Sequence, residues 1–182
     1  MFVYFGAMQM TVLARPWLAF DLSADATGQR SAMVLGLTVA INSAPSLVLS
    51  PWTGALADRW PKRNLLIIAA LAMAAIALVT AAGVAASVFA WWHVTLLGLA
   101  QGMVMTVITP TRRAIISELV DQRHLLNAVS LHTVTQNTNR TLMPALAGFV
   151  IVLAGAQWAY VVIAALYVAA ILVLFAVPRT DP

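Results

Sequence analysis

Six long, mostly apolar stretches divide this chain, running approximately Phe2–Leu22, Ala32–Ala57, Leu65–Val88, Trp92–Pro110, Leu126–Ala154 and Gln157–Val177. A helix that crosses hydrocarbon about 30 Å thick needs about 20 such residues, because each residue rises about 1.5 Å. The third stretch carries no charge at all. Of the 182 residues, 62% are hydrophobic and only 9% are charged, against roughly 25% charged in a soluble domain. A soluble globule of this size has no core large enough to hide so much apolar surface. Closed β-barrels also span membranes, but they need short strands alternating apolar and polar residues, which these Ala- and Leu-rich blocks lack. The expected fold class is therefore all-α and integral to the membrane, with residues 1–182 forming one bundle of six transmembrane helices.

The formal charge of +4 raises nucleic acid as a partner, so the placement of each cation decides more than the total. With the first helix entering from the cytoplasm, Arg59, Lys62, Arg63, Arg112, Arg113, Arg123 and Arg179 fall on the cytoplasmic side and Arg30 outside, while Arg15 and Arg140 lie within spans. That bias is the positive-inside pattern. It speaks for topology rather than for nucleic acid, and an even number of spans puts both termini in the cytoplasm. The cell membrane, plasma or bacterial inner, is the expected location and the lipid bilayer the first partner. No cysteine is present, which excludes disulfides and thiol chemistry. The first block lacks the basic leader of a signal peptide and carries Arg15, Pro16 and Asp21. Because hydrophobic sequence begins at Met1, a fragment boundary is expected there.

Within the spans, Pro45 and Pro51 are expected to bend the second helix, with Ser43 and Ser46 satisfying freed carbonyls. Gly98 and Gly102 form a G-x-x-x-G pair, which strips bulk from one helix face and favours close packing. The connection from Thr111 to His124 is the longest polar one and is expected to be partly helical. Arg112 and Arg113 stand near Glu118 there, and Asp121 is placed to cap the fifth helix.

Between the second and third spans stands Gly54-Ala55-Leu56-Ala57-Asp58-Arg59-Trp60-Pro61-Lys62-Arg63-Asn64-Leu65. On physical grounds Gly54 permits helix contact, Asp58 sets a carboxylate at the membrane edge, and the cations hold the loop inside. The run resembles the G-x-L-a-D-r-x-G-r-[RK] signature of the major facilitator superfamily, at the same loop. The resemblance implies the N-terminal six-helix half of that fold, a 3+3 inverted repeat, and so a piece of a twelve-helix protein. It also implies a conformational gate made by Gly54, Asp58, Arg59, Lys62 and Arg63, with Arg112 and Arg113 on the same face. In the family the carboxylate at Asp58 takes part in a latch to the opposite half. Pro61 departs from the usual glycine and fixes φ there.

Pro110-Thr111-Arg112-Arg113-Ala114-Ile115-Ile116-Ser117-Glu118-Leu119-Val120, the following Leu126-Asn127-Ala128, and Trp17-Leu18-Ala19-Phe20-Asp21-Leu22 are similar to runs in the subgroup of enterobactin and macrolide exporters. In the fifth span, Arg140-Thr141-Leu142-Met143-Pro144-Ala145-Leu146-Ala147-Gly148 partly matches an exporter motif centred on G-P-x-x-G-G. Pro144 and Gly148 carry over as helix-packing positions, while Met143 and Ala147 stand where glycines are usual. Gln101-Gly102 resembles the end of the R-x-x-q-G motif of the fourth helix, but Gly98 occupies the place of its arginine. The proton-coupling role of that arginine therefore does not transfer.

Polar groups in hydrocarbon are costly and usually face a cavity or a partner. His132, Gln136 and Arg140 recur at i, i+4, i+8, and Thr133, Asn137 and Thr141 repeat that spacing one residue on. One reading makes this stripe part of a solute path, with Arg140 attracting an anionic group and His132 able to change charge; the other is interhelical hydrogen bonding. Gln9, Arg15, Asn42 and Gln101 are further candidates for the path, with Arg15–Asp21 pairing as an alternative. No acidic residue falls at mid-membrane, and no phosphate-binding loop, H-E-x-x-H or metal-ligand spacing occurs. No enzyme activity, metal or cofactor is expected. The reading is a secondary transporter exporting a small organic solute, coupled to protons, whose C-terminal half is missing or replaced by a second copy. The alternatives are an uptake symporter of the same fold and a non-transporting half-length assembly partner.

Overall fold

A computed structural model describes the backbone of residues 2–24, 30–59, 62–119 and 125–175, and their side chains except in 50–62 and 112–128. Six helices account for nearly all of these residues: α1 Phe2–Asp21, α2 Ala32–Arg59, α3 Lys62–Ala85, α4 Trp91–Leu119, α5 Leu125–Ala154 and α6 Ala156–Phe175. No strand occurs among the described residues. The polar connection after the fourth span begins as helix, since α4 runs on to Leu119.

Four segments are long and apolar enough to cross a membrane by length and composition: Ala32–Leu49, Arg63–Ala85, Trp91–Thr111 and Ala156–Phe175. The two helices outside this group, α1 and α5, have the length but carry the polar rows. They pack on each other, while α2 lies along α4 and α3 along α6.

The buried faces of α3 and α6, which pack together, are rich in alanine. Ala69, Ala70, Met73, Ala74, Ala77 and Ala81 recur at helical spacing on α3, as do Ala159, Tyr160, Ile163, Ala164, Tyr167 and Ala170 on α6, and all are buried. Alanine there lets backbones approach, which is how helices associate where lipid removes the hydrophobic drive. Tyr4 and Tyr167 meet edge to face at 5.3 Å and tie α1 into the same core. Large apolar side chains such as Leu47 and Val152 stay exposed, at 81% and 84%, as lipid-facing residues do.

Hydroxyls inside the helices are satisfied locally by the carbonyl four residues back: Thr11 donates to Ala7 O, Thr80 to Ile76 O and Thr106 to Gly102 O. Thr38 and Thr95 also meet across α2 and α4 at 3.1 Å. Around Pro45, Ser43 donates to Val39 O and Ser46 to Ser43 O. These are not the carbonyl of Ile41, four residues before Pro45, so the expected repair of the proline break is not the one observed. The turn from α5 to α6 is a single residue, Gly155, with φ +94° and its N–H donating to Ile151 O at 3.0 Å. Only glycine takes that left-handed cap without strain.

Candidate functional site

The i, i+4, i+8 row of α5 brings His132, Gln136 and Arg140 to one wall of a cavity of about 220 Å³. Helix α1 supplies Gln9, Phe5 and Met8 to it, and α4 supplies Thr109, Met105 and Ile108. The lining is thus half polar and half apolar, and Arg140 is its one formally charged side chain when His132 is neutral. Gln136 Nε2 lies 3.0 Å from His132 Nε2. With the ring proton on Nδ1, the Gln136 amide donates and the histidine accepts. Arg140 is exposed and joins no ion pair among the described residues. The arrangement offers a cationic group, amides and an imidazole beside thioether and aromatic surface, a combination suited to an amphipathic solute with an anionic group.

Other candidate positions lie elsewhere. Asn137 sits one residue round α5 on an exposed row, its carbonyl accepting from Thr141 Oγ1 at 3.2 Å. Gln101 is buried on α4 and Asn42 half-buried on α2; neither lines this cavity. Arg15 is buried at 2% exposure and is likewise absent from the lining. Its expected alternative partner Asp21, the last residue of α1, is taken by Arg30, two residues before α2, at 2.7 Å.

Two residues near the site lacked a usable sequence signal. Thr109 looks like any helix threonine. Asn139 is fully buried, donates through Nδ2 to Thr135 O at 3.0 Å, and turns Oδ1 towards Gly6 of α1. Only its place in a membrane helix hinted at that. Gly6 also faces Met143, so the glycine absent from α5 at 143 has its counterpart across the interface in α1.

The glycine pair in α4 has two different jobs. A Cβ at Gly102 would lie 2.3 Å from the backbone O of Asn42, whereas at Gly98 it would meet the Arg15 side chain at 3.3 Å. Gly148 faces Leu13 at an ordinary 3.7 Å, and Pro144 lies half-buried within α5. Of the gate positions, the side chains of Asp58, Arg59, Lys62, Arg112 and Arg113 lie outside the described residues, as does the packing around Gly54. Arg63 is described. Its Nε donates to Leu174 O at 3.1 Å and its Nη2 to Phe175 O at 2.9 Å, with the guanidinium 5.8 Å from the Phe175 ring centroid. It therefore caps the carbonyl end of α6, where the helix dipole favours a cation. Arg63→Ala is expected to cost about 1 kcal/mol, or about 3 °C in melting temperature for a chain of this size, measurable by thermal unfolding in detergent.

A family model described as Major Facilitator Superfamily matches residues 1–182. The chain belongs to the major facilitator superfamily. One relative, the Staphyloferrin A transporter of Staphylococcus aureus, is 30% identical over 150 residues, covering 80% of this chain and 37% of the relative. Another, the uncharacterized MFS-type transporter YfiS of Bacillus subtilis, is 25% identical over 135 residues, covering 74% and 31%. The chain thus spans about a third of the length of these curated relatives. As a member of the facilitator superfamily with apolar membrane-spanning helices, it is a multi-pass membrane protein of the transporter class and not an enzyme.

Proposed function

We propose that this chain is the N-terminal six-helix half of a secondary active exporter, and that the cavity between α1, α4 and α5 is its share of the solute path. The observation that carries the reading is the wall of Gln9, His132, Gln136 and Arg140 facing one space within the bundle. Polar side chains in membrane helices persist where they face a cavity or a partner. On this reading α1 and α5 also span the bilayer, their polar rows turned towards the path and not towards lipid. The first three and last three helices of this half form a 3+3 inverted repeat, and both chain ends lie in the cytoplasm of a cell whose plasma or inner membrane holds the protein.

The solute is a small amphipathic organic molecule moved outward by alternating access between this half and a second one, the latter a further segment of the protein or another copy. Gly54, Asp58, Arg59, Lys62, Arg63, Arg112 and Arg113 form the cytoplasmic gate between them. Likeness to the enterobactin and macrolide exporter subgroup supports export of such a molecule, and a relative named a staphyloferrin A transporter supports transport in general. Protons supply the energy, and His132 is the titratable side chain in the cavity wall.

Everted vesicles containing the complete protein test this. A proton gradient, acid inside, is expected to drive uphill accumulation of solute, and a protonophore to abolish it. Accumulation only under the opposite gradient would make the protein an uptake symporter; no gradient-dependent movement in any substrate screen would leave a non-transporting assembly partner.

A further inference from the structure

The cavity leaves unused the most deeply buried charge among the described residues. Arg15, six residues before the end of α1, is 2% exposed. Its side chain runs along Gly98 of α4, where a Cβ would stand 3.3 Å from Cδ and 3.5 Å from Nη1. From α6, Tyr167 comes within electrostatic reach of the guanidinium and Tyr160 stands beside it as a hydrogen-bonding neighbour. Phenols are neutral hydrogen-bonding groups and do not balance a cation. Nε and Nη1 of Arg15 find no acceptor among the described residues, and the one ion pair among those residues, Asp21–Arg30, leaves Arg15 out.

A guanidinium in this situation is a poor structural element. Its burial without a counter-ion is strongly unfavourable, and an apolar side chain of similar volume is often as stable or more so. Its presence therefore points to a role other than holding α1 in place. Placement adds to this: in the pattern R-x-x-q-G the arginine belongs to the helix-4 position that is Gly98 here. The guanidinium instead comes from α1, into the space the glycine leaves open.

We propose that Arg15 is an anion-binding residue of the transport cycle, its unpartnered N–H groups receiving a mobile carboxylate when the junction of α1, α4 and α6 opens. The inference rests on the transporter reading for that opening. It assigns a second cationic station, separate from Arg140, and a carboxylate-bearing solute. A planar guanidinium suits that partner, since its several fixed donors match carboxylate oxygens.

The test uses the complete protein in detergent, titrated with sodium succinate against sodium chloride at equal ionic strength, with melting temperature as the readout. Succinate is expected to raise the melting temperature of the wild type saturably. Arg15→Met is expected to melt at or above the wild-type temperature without succinate and to bind succinate at least about tenfold more weakly, the effect of losing a charged hydrogen bond. Arg140→Gln is expected to weaken the response by its own share and to leave the further loss on Arg15→Met in place, and Arg15→Gly with Gly98→Arg to regain the Arg15 share by returning the guanidinium to the same junction from α4. A wild type indifferent to succinate, an Arg15→Met variant with an undiminished response, or a response that vanishes only with Arg140 overturns the proposal. If Arg15→Met fails to fold, the double substitution decides: a folded but unresponsive double variant overturns it. Gradient-driven transport in vesicles is a separate readout, so succinate binding without transport removes the exporter reading alone, and transport without succinate binding removes this inference alone.

Discussion

Replacing Gly102 by valine is expected to separate α2 from α4 and to lower the melting temperature of the detergent-solubilised protein by about 6–12 °C, the consequence of roughly 3 kcal/mol. The size of the effect follows from what the new side chain meets. A Cβ at 102 would stand 2.3 Å from the backbone oxygen of Asn42 and 3.1 Å from Cγ of Pro45. Neither obstacle is the free end of a flexible side chain: one is main chain and the other a ring whose φ is restricted. Relief therefore requires a shift of the whole α2 backbone, which would also stretch the Thr38–Thr95 contact, 3.1 Å at present. Overpacking at closely packed sites costs about 1–3 kcal/mol, and a β-branched residue facing main chain belongs at the top of that range. Gly36 on α2 is the control, because a Cβ there meets nothing within 4 Å; Gly36→Ala is expected to be silent or slightly stabilising. Thermal melts of the two variants check the pair of expectations, and a Gly102→Val protein melting within about 2 °C of the wild type would remove the close α2–α4 approach.

The contrast between these glycines marks what a single sequence reveals. Hydrophobic runs long enough to span a bilayer identify helices without reference to their neighbours, so six helices could be read from the blocks directly. Periodicity within one helix is equally local. It placed His132, Gln136 and Arg140 on one face of α5, and the structure lines a cavity with those three. What periodicity does not state is which helix a face meets. Gly98 and Gly102 look like one packing motif, yet one admits the side chain of Arg15 and the other a backbone carbonyl. Polarity within a span has the same ambiguity. Gln9 reaches the cavity, whereas Gln101 and Arg15, equally polar for their helices, are buried at other contacts. Arg63 shows what motif reading leaves open: the signature loop puts it among the gate residues, and the carbonyl end of α6 that it caps is a partner no motif names. A basic residue beside a membrane surface has many possible acceptors, and only the fold chooses among them.

Arg140→Ala in the complete protein is expected to lower solute transport by about tenfold to a hundredfold while leaving the melting temperature nearly unchanged. The two halves of that expectation come from different surroundings of the same side chain. Arg140 is exposed and holds no ion pair among the described residues, so truncation leaves no described carboxylate without its counter-ion, and exposed charges contribute little to stability. Towards the cavity it is the one permanently charged side chain, beside Gln9, Gln136 and His132. A hydrogen bond from a charged group to a bound solute is worth about 1.5–3 kcal/mol, which is the tenfold-to-hundredfold range. Arg140→Lys is expected to retain part of the activity, since a lysine keeps the charge but loses the planar donor array. Initial rates in everted vesicles at matched protein levels, with melting curves on the same preparations, separate the outcomes. Unchanged kinetics in Arg140→Ala would take the cavity out of the solute path. Equal losses of transport and of melting temperature would instead make Arg140 a support of α5, with the path to be sought along the exposed row of Thr133, Asn137 and Thr141.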